Sequence, residues 1–425
     1  MDSSSANSMA SDDLFDDVEG SLIGGEPKDD RISNIKERSS SGRNVGAFKV
    51  YTFDASVEKL ERNVTERHLD HAIDSVVPMA IGDSKSKVIR SFHPQKSWLW
   101  RQWYGTLWHH GYKNILFMMI YTFAVSFALP YIEDVSKKHF GQGLDSLTHV
   151  FQYLMTLAIF ILTFFLNQSY GLWRDIYNGC RALQGHTDDL GFLAATHAAR
   201  DEIGEYTEDA RVVLKDIAMS VKLFHIFVYA SKTRRYRVLH TKRAIKKMVA
   251  RGVLSQDMCD ALLKMQLYHN DRVFGMIEWI LLRFKAGMKN GTLSEDLPSE
   301  GFLGHVTDRC LDLRKDYSSF RYTLEARIPL AYAHFVQVMV DALLFTAPFA
   351  LYKELGMFAI PTVGIMTAFF SGLLDISKIM LDPFDNEDFC EGVIDINVGV
   401  FIRQANYGAV KFRDGGEFLP KGWLE

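Results

Sequence analysis

The run SLTHVFQYLMTLAIFILTFFLNQSYGLW, Ser146–Trp173, holds 28 residues without Asp, Glu, Lys or Arg and stops at Arg174. A helix needs about 20 predominantly apolar residues to cross the ~30 Å hydrocarbon core of a bilayer, and this run exceeds that length. Three further runs resemble it: Asn114–Ile132, Ile328–Tyr352 with Asp341 as its one charge, and Leu355–Leu374. A soluble core helix is the plainer explanation of any single run. Four of them together predict an all-α membrane protein with four transmembrane helices, near 114–132, 147–173, 328–352 and 355–375.

The links decide how the spans pair. The first and second are joined by Glu133–Asp145, the third and fourth by Lys353–Glu354, so the spans form two hairpins. Between the hairpins lies a block, 174–327, whose apolar residues recur at helical spacing, as in Ile217, Val221, Phe224 and Val228. Arg101, Lys113, Arg174, Arg181, Arg321, Arg327 and Lys378 all flank the outer ends of the hairpins. Such basic flanks favour the cytosolic side, which places both termini and the helical block there. The expectation is a multi-pass protein of the plasma membrane or an organelle membrane, with lipids as partners.

Other classes are disfavoured. The 48 Lys and Arg against 52 Asp and Glu give a net charge of −4, so no nucleic-acid partner is expected. Four scattered Cys form no CxxC pair, which argues against a disulfide framework or a zinc site. No nucleophile elbow, phosphate-binding loop or HExxH helix occurs, so no enzyme is expected. Residues 1–85 begin MDSSSANSMASDDLFDDVEG, rich in Ser and Asp, and predict a disordered tail; scattered apolar residues over Phe48–Ile81 allow short helices within it. A basic cluster, Lys232 to Arg237 followed by Lys242, Arg243, Lys246, Lys247 and Arg251, reads as an anion-drawing surface, a lipid-headgroup surface or a solvated face. Asp341 at bilayer depth reads as a hydrogen-bonded structural group or as the carboxylate of a coupled carrier.

Within the second span Thr156, Phe160, Thr163, Phe164 and Asn167 recur at i, i+3, i+4 spacing and share one stripe, while Leu154, Leu157, Ile161, Leu162 and Phe165 fill the remaining faces. A helix bordering water needs such a polar stripe. A helix packed on a neighbour with its Thr hydroxyls bonded to the preceding turn has the same pattern.

Four local strings, in order along the chain, carry a family resemblance. Trp103-Tyr104-Gly105-Thr106-Leu107-Trp108 precedes the first span, and Ser169-Tyr170 with Trp173 lies in the second. Ile328-Pro329-Leu330-Ala331-Tyr332 opens the third, and Leu381-Asp382-Pro383-Phe384 with Asp385, Asn386, Glu387 and Asp388 follows the fourth. Together they resemble the bestrophins, from about Val88 to Asn397, and imply a bestrophin-like channel domain over 86–425. The resemblance implies a homopentameric anion channel for chloride, bicarbonate or other monovalent anions, with four spans per subunit and a cytosolic helical region. Aligned through Trp173, it puts Phe160 and Phe164 at the pore neck, with Thr156 where many relatives have an aliphatic residue. Pro329 belongs to the same matched pattern. By position it also nominates Asp382, Glu387 and Asp388, with the chain near Ile89, as a calcium site. A second, cytosolic constriction is expected from apolar residues of Leu223–Val228. The rival readings are a proton- or ion-coupled anion transporter using Asp341, and a non-conducting membrane adaptor.

Overall fold

The structure is a computed structural model; it describes residues 57–77, 88–89, 107–135, 140–265, 267–293, 300–326, 328–384 and 396–418. Its main helices are α1 Glu66–Val76, α2 Leu107–Val135, α3 Phe140–His197, α4 Glu208–Ala230, α5 Lys242–Ala250, α6 Gln256–Lys264, α7 Arg272–Lys289, α8 Glu300–Glu325, α9 Leu330–Leu355, α10 Ala359–Met380 and α11 Val398–Gly416. Among the described residues extended pairing is limited to two isolated bridges, Ala198 with Leu293 and Arg200 with Tyr206. The chain divides into two compact units. One contains residues 183–315 and 398–425 with the segment before residue 87; the other contains 87–182 and 316–397.

The second unit holds the apolar helices. Among the described residues three helical stretches are long and apolar enough to cross a membrane: Gly111–Tyr131, Ser146–His197 and Leu330–Met380. The third is two helices, α9 and α10, joined by a short turn in which Gly356 takes φ +54°, a conformation that costs a residue with a Cβ. Lys378, late in α10, donates to the side-chain oxygen of Gln337, early in α9, so the two run antiparallel. Helix α10 also packs closely on α2, where a Cβ on Gly364 would come within 3.0 Å of Met119; a missing side chain lets the backbones approach. The inner face of α3 completes the packing. Phe151 and Ala158 meet Leu343, Ala347 and Val363, and one to two turns on Leu162 and Phe165 meet Val336, Val340, Leu344 and Leu374.

Helix α3 does not end where its charge-free run does. It continues without a break past Arg174 to His197. The change at Arg174 marks the end of apolar composition, and the chain offers no Pro and no cap there to stop the helix.

The first unit is a helical bundle built around α4. Thr207 caps α4 by accepting the Ala210 N–H, and Glu208 and Asp209 complement the dipole of its first turn. Thr65, Thr241 and Ser255 cap α1, α5 and α6 in the same manner. Helices α7 and α11 pack on α4 and bury Met276, Ile280 and Phe284 from one side and Phe401, Ile402 and Ala405 from the other. Leu223, Phe224, Ile226, Phe227 and Val228 are all 0% exposed within this core. The expectation of a constriction at Leu223–Val228 is therefore wrong. These side chains touch protein on every side and hold the bundle together, each large one contributing about 1.5–3 kcal/mol by burial.

Two further expectations are corrected in this unit. The stretch 1–85, expected to be a disordered tail, is ordered in part: residues 57–63 and α1 are helical, as the apolar residues of Phe48–Ile81 allowed, with Val57, Leu60, Val64, Leu69, Ala72, Ile73 and Val76 buried. Asn406 of α11 donates to the Val76 carbonyl at 2.8 Å and ties α1 down. The basic cluster, in turn, is no free surface at α5. Glu66, Asp70 and Asp74, spaced four apart on α1, face Arg243, Lys247 and Arg251, spaced four apart on α5. Lys247 lies 2.6 Å from Glu66 and 2.8 Å from Asp70, Arg251 lies 2.7 Å from Asp74, and Arg243 also bonds Glu66. The Glu61 carboxylate accepts the backbone N–H groups of Lys242 and Arg243 at the α5 N-terminus. Lys247 and Arg243 hold the Glu66 carboxyl below the usual carboxylate range.

Candidate functional site

The site is assembled on the outer face of α3. Its inner face, carrying Phe151, Ala158, Leu162, Phe165 and Ser169, is buried against α9 and α10. The face opposite is left open in the single chain, and all five residues of the stripe lie on it. Thr156, Thr163 and Asn167 are exposed, Phe160 is 71% exposed and Phe164 51%. The burial pattern follows helical spacing: Ala158, Leu162, Phe165 and Ser169 recur at i, i+4, i+7 and i+11 on the packed side, whereas Phe160 and Phe164, one turn apart, stay more than half exposed. The Thr156 hydroxyl donates to the Gln152 carbonyl at 3.0 Å, so its proton is used by its own helix.

Chemically the stripe is neutral and mildly polar. The Asn167 amide presents N–H donors, and each phenyl ring carries a positive edge. Rings offered edge-on attract an anion that has shed part of its hydration, and their apolar bodies discourage a continuous water column when crowded together.

At the end of the charge-free run the aromatic side chains turn aside from the stripe. Tyr170, Trp173 and Tyr177 stack in sequence, with ring centroids 6.2 and 5.9 Å apart. Arg181 ends the ladder, its guanidinium 5.4 Å from the Tyr177 centroid and its Nε donating to the Tyr177 hydroxyl at 3.1 Å. Trp173 is thus half-buried between two Tyr rings. The ladder was not anticipated, although aromatic residues at i, i+3 and i+7 carry its signal.

Pro329 precedes α9 and its carbonyl accepts the N–H of Tyr332 at 3.0 Å, opening the helix; Tyr332 then meets the Phe165 ring edge-on at 5.5 Å. Asp341 accepts from the Gln337 amide with both oxygens, at 2.8 Å each. Since Gln337 also receives Lys378, which lies 3.8 Å from Asp375, the carboxylate belongs to a polar chain linking α9 and α10.

Beyond α10 the turn at Asp382–Phe384 is held by its neighbours. Ile396 donates its N–H to the Pro383 carbonyl at 2.8 Å, and Asn397 donates to the Val88 carbonyl at 3.2 Å. The chain near Ile89, the turn and Ile396–Asn397 therefore converge. Asp382 is half-buried there, while Glu387 and Asp388 lie outside the described residues, as do Trp103–Thr106. Calcium takes six to eight oxygens. Among the described residues no group of three or more His, Cys, Asp or Glu could hold a metal, so a calcium site at this turn needs the carboxylates of 385–395.

A model of the family described as "Bestrophin, RFP-TM, chloride channel" matches residues 86–406. The chain belongs to the bestrophin family. The fold agrees. A bacterial bestrophin homologue from Klebsiella pneumoniae superposes with a TM-score of 0.53 at 14% identity, over 71% of this chain and 98% of that one. A point variant of the homologue from the same organism gives 0.55 at 12%, over 71% and 97%. At such identity the likeness establishes the bestrophin fold and leaves the residues of the site to be judged on their own geometry. No curated protein matches the sequence. The family is one of membrane chloride channels, and this chain is a membrane protein of that kind.

Proposed function

We propose that this bestrophin is the subunit of a pentameric anion channel in which α2, the first part of α3, α9 and α10 cross the bilayer and copies of α3 surround a central water column. One observation carries the reading: the face of α3 bearing Phe160 and Phe164 is left uncovered, while its opposite face is packed. Lipid alone would be met by an apolar face, yet this one interleaves Thr156, Thr163 and Asn167 with the rings. Chloride and bicarbonate pass passively, selected by ring edges and partial dehydration, since the stripe carries no Lys or Arg over the span. Termini and helical bundle face the cytosol, in keeping with the basic flanks. Calcium modulates conduction through Asp382, Glu387 and Asp388 with backbone oxygen from the chain near Ile89; the convergence of Val88, Pro383 and Ile396–Asn397 supports this part.

The test is chloride flux through purified full-length protein in liposomes, compared with a Phe160→Ala plus Phe164→Ala variant. The variant gives a larger, less selective flux with weakened closure. Unchanged currents would take these residues out of the pore. A reversal potential that follows the pH gradient rather than the chloride gradient would instead favour a carrier using Asp341. No flux at all would favour an adaptor. Flux indifferent to chelation and to Glu387→Gln with Asp388→Asn would remove calcium from the account.

A further inference from the structure

The stripe on α3 does not stop at Asn167. At about 100° and 1.5 Å per residue, Arg174 lies about 40° from Phe160 around the helix axis and about 21 Å along it. Asn178, five turns from Phe160, returns to the same azimuth. Both are exposed in the single chain, and Gly171, half-buried on the same line, leaves room between them and Asn167. Arg174 is the first charge after the 28-residue charge-free run. Among the described residues it makes no ion pair, in contrast to Arg181, which is engaged by Tyr177. The aromatic ladder lies to one side of Arg174, and Asp175 stands about 100° round on the other flank.

We propose that Arg174, with Asn178 one turn beyond it, forms an anion-collecting ring at the cytosolic mouth of the water column. The inference rests on the pore reading above and adds the element the neutral stripe lacks, a fixed positive charge that raises local anion concentration before dehydration begins. Guanidinium suits this place. It stays charged at every relevant pH, is weakly hydrated, and offers a planar pair of N–H donors to a halide or to a planar oxyanion such as bicarbonate. Several copies around an axis focus the field where low-dielectric walls limit screening.

The test is unitary chloride conductance of the reconstituted full-length channel in neutral phosphatidylcholine bilayers. Wild type is compared with Arg174→Gln, Arg174→Glu and Arg174→Lys, and with Asp175→Asn as the flank control. In about 10 mM chloride, where the Debye length is about 30 Å, Arg174→Gln conducts about three- to tenfold less than wild type. Arg174→Glu conducts still less and admits cations. Arg174→Lys restores most of the current, and Asp175→Asn stays near wild type. In about 1 M salt, where screening reaches about 3 Å, the differences vanish. Equal low-salt conductance of wild type and Arg174→Gln would overturn the ring while leaving the pore standing. So would loss of assembly on cross-linking in both Arg174→Gln and Asp175→Asn, which would make Arg174 a subunit-pairing group, or an effect confined to bilayers containing anionic lipid. Absence of current in wild type would remove the pore itself.

Discussion

Phe160 and Phe164 on α3 and Phe224 and Phe227 on α4 are two aromatic pairs that the sequence presents in similar terms, each on an apolar helix and each a candidate constriction. The structure separates them. The first pair is 71% and 51% exposed, and the second is 0% exposed on both members. In the bundle, apolar residues exist to be removed from water, and α7 and α11 pack on α4, where Phe224 and Phe227 are fully buried. On α3 apolar composition serves a bilayer, so it carries no information about burial within the chain. The polar residues between the rings do: Thr156, Thr163 and Asn167 mark the face that its own subunit leaves uncovered.

The sharpest way to break this comparison is truncation. Phe224→Ala removes a fully buried ring and lowers stability by about 3–5 kcal/mol, whereas Phe160→Ala leaves it within about 0.5 kcal/mol. Thermal melting of helicity in detergent reads both. Similar losses for the two substitutions would mean that Phe160 is packed against something in the single chain.

A smaller effect separates the two helices by pH. His225 sits in the buried part of α4 against the Phe224 and Tyr229 rings, its Nε2 2.9 Å from the Thr187 hydroxyl, and burial pushes the ring down to about 3. The folded chain then keeps this imidazole neutral while the unfolded chain protonates it near 6.5. Protons therefore favour unfolding as pH falls from about 6.5 toward 3, and stability is flat above that window. Between pH 7 and pH 5 the linkage amounts to about 2 kcal/mol. A His225→Gln variant should lose that much less than wild type over the interval; parallel losses would show that the ring titrates normally. Helix α3 carries no comparable buried base over its charge-free run, so acid should affect the bundle first.

Much of the architecture was legible beforehand. The four charge-poor runs gave the apolar helices, and the charges at Lys353–Glu354 fell in the last turn of α9, just before the α9–α10 turn at Gly356–Phe358. What stayed hidden depends on partners distant in sequence. Glu66, Asp70 and Asp74 looked like part of an acidic tail because Arg243, Lys247 and Arg251 lie more than 170 residues away. Asp341 read as a hydrogen-bonded structural group or a carrier's carboxylate, and only the structure names its partner, Gln337, and the link through Gln337 to Lys378. The stripe on α3 was readable from period alone; whether it was covered was not, since helical spacing fixes which residues share a face and says nothing of what that face meets.

The central claim is that the uncovered face of α3 borders water in the assembled channel. Its most direct measurement is block of chloride current by a negatively charged methanethiosulfonate reagent, applied to Phe160→Cys and Leu162→Cys on a Cys390→Ser background. The native thiols give little interference, since Cys180, Cys259 and Cys310 are buried and burial pushes the Cys310 thiol up to about 12. The account predicts that Phe160→Cys is modified and its current falls, while Leu162→Cys is untouched. Modification of Leu162→Cys with Phe160→Cys inert would contradict it.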